Sequence, residues 1–155
     1  MDSGMAVIAL QIYHIYVKSL RFLMIFHNKA WQDAENYCKT FGAHLTSIHS
    51  VQENIFIYEF STAGITVAAG AWTDEVWIGF NDLTNVGDYS WSDGSTVDYI
   101  NWSPVAPASP STQQCVCILA DEMSTVPERF QKWDTLPCSL VLRAFVCKKP
   151  ANLLK

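Results

Sequence analysis

The chain has 155 residues, half of them apolar, which is the size of one domain that can bury a hydrophobic core. Its formal net charge is −5, with only ten Lys and Arg residues and no basic run that could follow a phosphate backbone. We therefore expect no nucleic acid among its partners.

Residues 1–21 form an apolar segment of uncertain role. Lys18 and Arg21 interrupt the segment, and each cation near the centre of a membrane span costs roughly 2.5 to 3.5 kcal/mol. Asp2 stands where a signal peptide carries basic residues, and no cleavage site follows the apolar run. Three interpretations stay open: a poor signal peptide, a membrane anchor, or a gene-start artefact.

Helical spacing dominates residues 28–63. Asn28 can cap a first helix that ends near Phe41, where Gly42 offers a left-handed stop. Ser50 and Glu53 have capping-box spacing for a second helix that ends before residue 64. Apolar residues at helical spacing mark this second helix, namely Val51, Ile55 and Tyr58.

The second half of the chain has a β pattern. Short β-branched or aromatic runs separated by turn residues predict strands at 76–80, 89–91, 99–102, 115–119 and 144–147. Loop 102–114, which contains three prolines, is predicted to be an irregular surface loop. Helices followed by strands favour an α+β fold.

The five cysteines lack the spacing of a zinc site and favour a disulfide framework. Disulfides persist in oxidising compartments, so we expect a secreted or extracellular protein. The cysteines are Cys38, Cys115, Cys117, Cys138 and Cys147.

An ordered series of motifs resembles the C-type lectin-like domain family, in its short form, over residues 22–149. The resemblance implies a disulfide-stapled α+β fold with two helices, small antiparallel sheets and a long irregular loop, followed by a short tail at 150–155. The motifs are Trp31 with Ala34, Glu35 and Cys38, then Gly42-Ala43-His44-Leu45, Trp77-Ile78-Gly79-Phe80, Trp91 with Asp93-Gly94, Asn101-Trp102, Trp133-Asp134 and Phe145-Val146-Cys147.

The resemblance also implies which cysteines pair. It gives Cys38 with Cys147 and Cys115 with Cys138, and it leaves Cys117 unpaired. Cys117 is then either a buried thiol or a handle for an intermolecular bridge.

In sugar-binding members of the family, a calcium ion on the long loop is held by an acidic or amide residue on each side of a cis proline. Here the triplet is Ala106-Pro107-Ala108, which keeps the proline and lacks both ligands. The acidic position before Cys115 is Gln113 or Gln114. Calcium affinity depends on the number and charge of oxygen ligands, so we expect no cofactor and no calcium at this position.

The Asn-Asp pair that follows a Trp in the family corresponds to Trp133 followed by Asp134 and Thr135. Asp134 is either a surviving ligand or a strand-end carboxylate bonded to backbone, and we favour the second. An auxiliary calcium site is also less favoured than ordinary turn residues at Asp82, Asp88, Asp93 and Asp98.

His44 and His49 are expected to point to opposite faces and to make local hydrogen bonds. The tryptophans at 77, 91, 102 and 133 are expected in the core rather than in a sugar platform. No basic surroundings are evident for Cys117, and we predict no enzyme activity.

Two functions stay open. One is a lectin whose glycan site is altered at Ala106, Pro107, Ala108, Gln113, Trp133, Asp134 and Thr135. The other is a calcium-independent adhesion module that binds a protein ligand through loop 102–114. The membrane is a partner only if residues 1–21 are an anchor.

Overall fold

The structure is a computed structural model that describes residues 11–17 and 19–151. Its two α-helices are α1 (Trp31–Thr40) and α2 (Val51–Ser61). Its strands, in chain order, are β1 (Gln11–Val17), β2 (Leu20–Phe26), β3 (His44–Leu45), β4 (Thr66–Val67), β5 (Val76–Asn81), β6 (Ser90–Trp91), β7 (Cys115–Ile118), β8 (Glu122–Met123), β9 (Trp133–Leu136) and β10 (Ala144–Pro150).

One sheet forms the centre of the described chain, with strand order β1-β2-β10-β5-β7-β9, β3 on β10 and β6 on β5. Strand β10 pairs antiparallel with β2 and parallel with β5, so the two ends of the domain lie side by side. A separate parallel pair joins β4 and β8. Two helices with this sheet confirm the predicted α+β class.

The two helices cover opposite faces of the sheet. Leu23 of β2 is buried in one apolar cluster with Trp31 of α1, and its neighbour Phe22 is buried in a second cluster with Ile57 of α2. Successive side chains of a strand point to opposite faces, which assigns one cluster to each side.

The prediction that Asn28 caps α1 is wrong. The N-cap is Ala30, and its side chain makes no capping bond. The Trp31 N–H donates to the Cys138 carbonyl oxygen at 3.1 Å, so tertiary structure satisfies the helix end and the helix begins later. Gly42, with φ +65°, follows the helix in the left-handed conformation that its position predicts.

The cap of α2 is confirmed, since the Ser50 hydroxyl accepts a hydrogen bond from the Glu53 N–H at 3.1 Å. The residues that mark this helix in the sequence do not form its buried side. Val51 and Ile55 are 53% and 40% exposed, whereas Asn54 is buried. The apolar side chains of this helix are not confined to one face, so periodicity alone does not identify the face that packs.

Strands at 76–80, 115–119 and 144–147 are confirmed within a few residues, and the run at 89–91 is reduced to Ser90–Trp91. The strand predicted at 99–102 is wrong, because only an isolated bridge between Trp102 and Trp133 forms there. Strand β10 continues to Pro150 because it pairs with β2 along that length.

Strands β1 and β2 form an antiparallel hairpin at the sheet edge, with Tyr13 opposite Met24. Residues 1–10 and 152–155 lie outside the described residues, and the predicted domain boundaries at 22 and 149 stay predictions. Among the described residues, no helix is long and apolar enough to cross a membrane.

Both implied disulfides are confirmed, Cys38 with Cys147 and Cys115 with Cys138. The first joins α1 to β10, and the second joins β7 to the segment after β9. Cys117 is a buried free thiol. The tryptophans at 77, 91 and 133 are core residues, as predicted, whereas Trp102 is half-buried.

Candidate functional site

Loop 102–114 is anchored to β9 at its start. The Ser103 N–H donates to the Trp133 carbonyl oxygen at 2.8 Å, next to the bridge between Trp102 and Trp133. The peptide bond between Ala106 and Pro107 is cis, as the resemblance implies. These contacts place the loop beside β9, the strand that carries the other residues of the predicted site.

Thr135 holds the middle of this loop against the strand. Its hydroxyl accepts from the Ala108 N–H at 2.9 Å and donates to the Ala108 carbonyl oxygen at 3.1 Å. The Gln113 side-chain oxygen lies 3.4 Å from the same hydroxyl. Protein groups therefore already satisfy the Thr135 hydroxyl.

Asp134 is buried beneath the loop and paired with a cation. Its Oδ2 accepts from Arg129 Nη1 at 3.1 Å and from the Ser103 hydroxyl at 3.2 Å, and its Oδ1 accepts from the Thr135 N–H at 3.0 Å. Three donors and one positive charge thus occupy the carboxylate.

The pocket beside Asp134 has a volume of about 460 Å³. Ala108, Gln113, Asp134 and Thr135 all line it, whereas the Trp133 side chain lies in the core and Ala106 and Pro107 lie elsewhere on the loop. Further lining residues that the sequence analysis did not identify are Trp72, Val105 and Arg129.

Arg129 is the cationic residue among those that line the pocket in the described part of the chain. Its guanidinium carbon lies 5.6 Å from the centroid of the Trp72 ring, a distance at which a cation and an aromatic face attract each other. Its Nε is buried and has no hydrogen-bond partner among the described residues. The pocket therefore combines an indole ring with an ion pair. No local motif marks Arg129 or Trp72, so only the fold brings them here.

The four aspartates of the possible auxiliary site do not assemble. Asp82 accepts from the Gly87 N–H at 2.7 Å, and Asp98 lies 2.7 Å from a ring nitrogen of His49. Asp93 accepts from the Ser95 N–H at 2.9 Å. Within residues 11–17 and 19–151, no group of three or more His, Cys, Asp or Glu residues is arranged to hold a metal ion.

A second polar pocket, of about 490 Å³, lies near the start of α2 and was not expected from the sequence. His44 and His49 both line it, so the prediction that they face apart is wrong, because β3 ends at Leu45 and strand alternation does not continue. The local hydrogen bonds predicted for them are present, His44 to Glu35 at 2.6 Å and His49 to Asp98.

His49 lies between Asp98 and Ser47 in an order that resembles a catalytic triad, with Nε2 3.0 Å from the Ser47 hydroxyl. That hydroxyl, however, donates to Asp93 Oδ2 at 2.5 Å. Burial raises the pKa of Asp93, but hydrogen bonds from Ser47 and Ser95 and the charge of Lys148 outweigh burial and lower it overall. An ionised carboxylate therefore holds the serine proton, and the serine is not activated by the imidazole.

Cys117 is not poised for chemistry either. Burial raises the pKa of its thiol well above the usual value, and the nearby charges of Glu75 and Asp134 raise it further. The thiolate is the reactive form of cysteine, so this side chain is held in its inert form.

Comparison with known proteins agrees with this architecture. A family model described as the lectin C-type domain matches residues 27–149. Human versican core protein is 35% identical over 125 residues, which are 79% of this chain and 3% of versican. This chain thus spans a very small part of the length of the curated relatives it matches.

Solved structures give the same result. The cow C-type carbohydrate-recognition domain of CD23, determined in the presence of an oligosaccharide, superimposes with a TM-score of 0.74 at 26% identity, covering 90% of this chain and 95% of that domain. A calcium-independent type II antifreeze protein superimposes with a TM-score of 0.72 at 29% identity, covering 92% and 97% of the two chains.

Proposed function

We propose that this chain, which belongs to the C-type lectin domain family, is an extracellular, non-enzymatic recognition module that binds a glycan without calcium. The site is the pocket between loop 102–114 and β9. The observation that carries the proposal is the ion pair between Arg129 and Asp134, 3.1 Å apart, since the resemblance implies that Asp134 stands at the family's calcium site.

The donor set argues against a calcium ion in this pocket. Calcium takes six to eight oxygen ligands, and its affinity rises with their charge. Ala108 offers no side-chain oxygen, Gln113 is neutral, and the charge of Asp134 is already compensated by Arg129. A calcium ion would have to displace a guanidinium that also packs on Trp72.

The same groups suit a sugar. Ligand sites combine apolar surface with a few polar groups that fix orientation, and the exposed side of an indole ring is such a surface. Here Trp72 provides the ring, and the Arg129 guanidinium lines the pocket beside it. Gln113 adds an amide at the rim.

A protein ligand is the second candidate, because Val105 on the loop is 50% exposed and apolar. Surface loops on a rigid scaffold commonly carry recognition in proteins, and an exposed apolar side chain on such a loop favours contact with a protein surface. The glycan measurement separates the two candidates.

Two disulfides support the proposed extracellular location, since such bonds persist in oxidising compartments. A membrane partner would require residues 1–21 to act as an anchor, whereas Gln11–Val17 of this segment form β1 and pair with β2.

The first test of the proposal is a glycan array read in millimolar calcium and again in chelator, together with thermal melting in both buffers. We expect glycan signal in both buffers. The melting temperature should also be the same in both, because calcium would raise it only by binding to the native state. A melting temperature that rises with calcium contradicts the proposed mechanism. Absence of glycan signal in both buffers favours the protein ligand.

The variant Arg129→Gln tests the site itself. It removes the guanidinium charge that lines the pocket, so we expect glycan affinity to fall by about tenfold, which corresponds to one charge-assisted hydrogen bond. Lys39→Gln, a change of an exposed cation on α1, is the matched control and should bind like the wild type. Equal affinity of all three proteins excludes this pocket.

A further inference from the structure

A groove of about 630 Å³, separate from the two pockets described above, lies between the β1–β2 hairpin and α2. Four aromatic rings, one aliphatic side chain and one carboxylate form most of its surface. These residues are Tyr13, Ile15, Phe26, Phe56, Phe60 and Glu59.

Strand β1 provides one wall of the groove. Tyr13 and Ile15 stand two residues apart on β1, opposite Met24 and Phe22 of β2, and so share their face of the sheet. Met24 and Phe22 are buried in the cluster beneath α2, but Tyr13 remains 51% exposed at the rim.

On the other wall, α2 presents Phe56, Glu59 and Phe60 at helical spacing, so these three side chains share one face. The rings of Phe56 and Phe60 are stacked with centroids 5.5 Å apart. Across the groove, Tyr13 and Phe26 meet edge to face at 6.1 Å. Aromatic pairs thus line both sides of a space that holds one carboxylate.

The charge of this groove is negative and uncompensated. Glu59 forms no ion pair with any residue in 11–17 or 19–151, and none of the described lining residues is Lys, Arg or His. Arg143 lies 5.9 Å from the Phe26 ring centroid, but its guanidinium is 2.9 Å from the Asp121 carboxylate. Among the residues that the structure describes, none places a cation beside Glu59.

We propose that this groove binds a small quaternary ammonium ion of the choline type. Aromatic faces attract such cations through the ring quadrupole, and methylated ammonium groups also bury apolar surface. Glu59 supplies the opposite charge. Because none of the described lining residues is Lys, Arg or His, a phosphate would find no cationic partner among them, which favours the free cation over a phosphocholine lipid headgroup.

The test is a titration of the isotope-labelled chain with choline chloride, followed by nuclear magnetic resonance. The neutral tert-butyl analogue of choline is the matched ligand, with the same shape and no charge. We expect choline to bind at least about tenfold more tightly than this analogue, with shifts confined to α2 and the hairpin. No choline binding, or equal binding of both compounds, overturns the proposal.

Two variants locate the site. Glu59→Gln should weaken choline binding at least about fivefold, as expected for loss of one charge partner near the surface, and Phe60→Leu should weaken it similarly. Glu122→Gln, an exposed carboxylate on β8, should leave binding unchanged. Because Glu59 is exposed, Glu59→Gln keeps the test decisive even if Phe60→Leu fails to fold.

Binding to phosphatidylcholine vesicles is measured last, to separate free choline from a lipid headgroup as the ligand. Tighter binding to vesicles than to choline, with no loss in Glu59→Gln, overturns the assignment of the ligand. Arg129→Gln should not change choline affinity, so this result is independent of the outcome for the glycan pocket.

Discussion

Trp133 donates its indole N–H to the side-chain oxygen of Asn54 at 2.8 Å, across 79 positions of the chain. Asn54 in turn donates to the Gln131 carbonyl oxygen at 3.0 Å. One buried amide therefore fixes α2 to the start of β9, the strand that carries Asp134. This contact sets the position of the pocket beside Asp134 relative to the helix.

Replacing this amide should cost stability. We expect Asn54→Ala to lower the free energy of unfolding by about 1 to 3 kcal/mol, because the Trp133 N–H stays buried without an acceptor. Urea unfolding followed by tryptophan fluorescence measures the change. Gln52→Ala, an exposed amide on the same helix, is the control and should stay within about 0.5 kcal/mol of the wild type. Equal losses in both variants would contradict the role of the Trp133 contact.

The disulfide between Cys38 and Cys147 closes a sequence separation of 109 residues. Chain-entropy arguments give about 4 to 5 kcal/mol for a loop of that length, a large part of the stability of one domain. Cys38→Ser or Cys147→Ser should therefore abolish secretion of folded protein, measured as yield in the medium. Cys117→Ala, which leaves both bridges intact, is the control. Normal yield of either serine variant would refute the framework.

Elements fixed by local chemistry were predictable from the sequence. Ser50 caps α2 because its hydroxyl is three residues from the N–H that it accepts, and Gly42 ends α1 because it adopts positive φ readily. The disulfide pairs followed from the family resemblance, since spacing alone does not define pairing.

Features that depend on distant partners were not predictable. Helix α1 begins after its N-cap Ala30 because the Trp31 N–H donates to the Cys138 carbonyl oxygen, a contact that no local pattern reveals. The ion pair of Arg129 and Asp134 depends on how the segment before β9 turns back. Similarly, the sequence of β1 is part of an interrupted apolar run, and only its pairing with β2 identifies it as a strand.

Cys117 should be unreactive in the native protein, because its burial holds the pKa of the thiol well above the usual range. We expect no labelling by iodoacetamide under native conditions and complete labelling after unfolding in guanidinium. Mass spectrometry measures both, and the denatured sample is the control. Rapid native labelling, or a disulfide-linked dimer that disappears in Cys117→Ala, would support the alternative of an intermolecular bridge.

Glu75 gives the domain a pH dependence. The side chain is fully buried, with one oxygen accepting from the Ala120 N–H at 3.2 Å and the other without a partner among the described residues. Burial raises the pKa of Glu75 from 4.5 to about 8, although the charge of Arg143 and the Ala120 hydrogen bond oppose this rise. The native state therefore keeps a proton that the unfolded chain has already lost at neutral pH.

Between these two pKa values, each rise in pH favours the unfolded state, by up to about 1.4 kcal/mol per pH unit from this group. The contribution of Glu75 to the stability of the folded state is complete below about pH 4.5 and lost above about pH 8. Glu75→Gln carries no titrating proton, so its stability relative to the wild type should increase from pH 5 to pH 8 and then level off. Urea unfolding across this range measures the difference, with Glu122→Gln as the exposed control. Parallel curves for wild type and Glu75→Gln would mean that Glu75 is ionised in the folded protein and paired with Arg143.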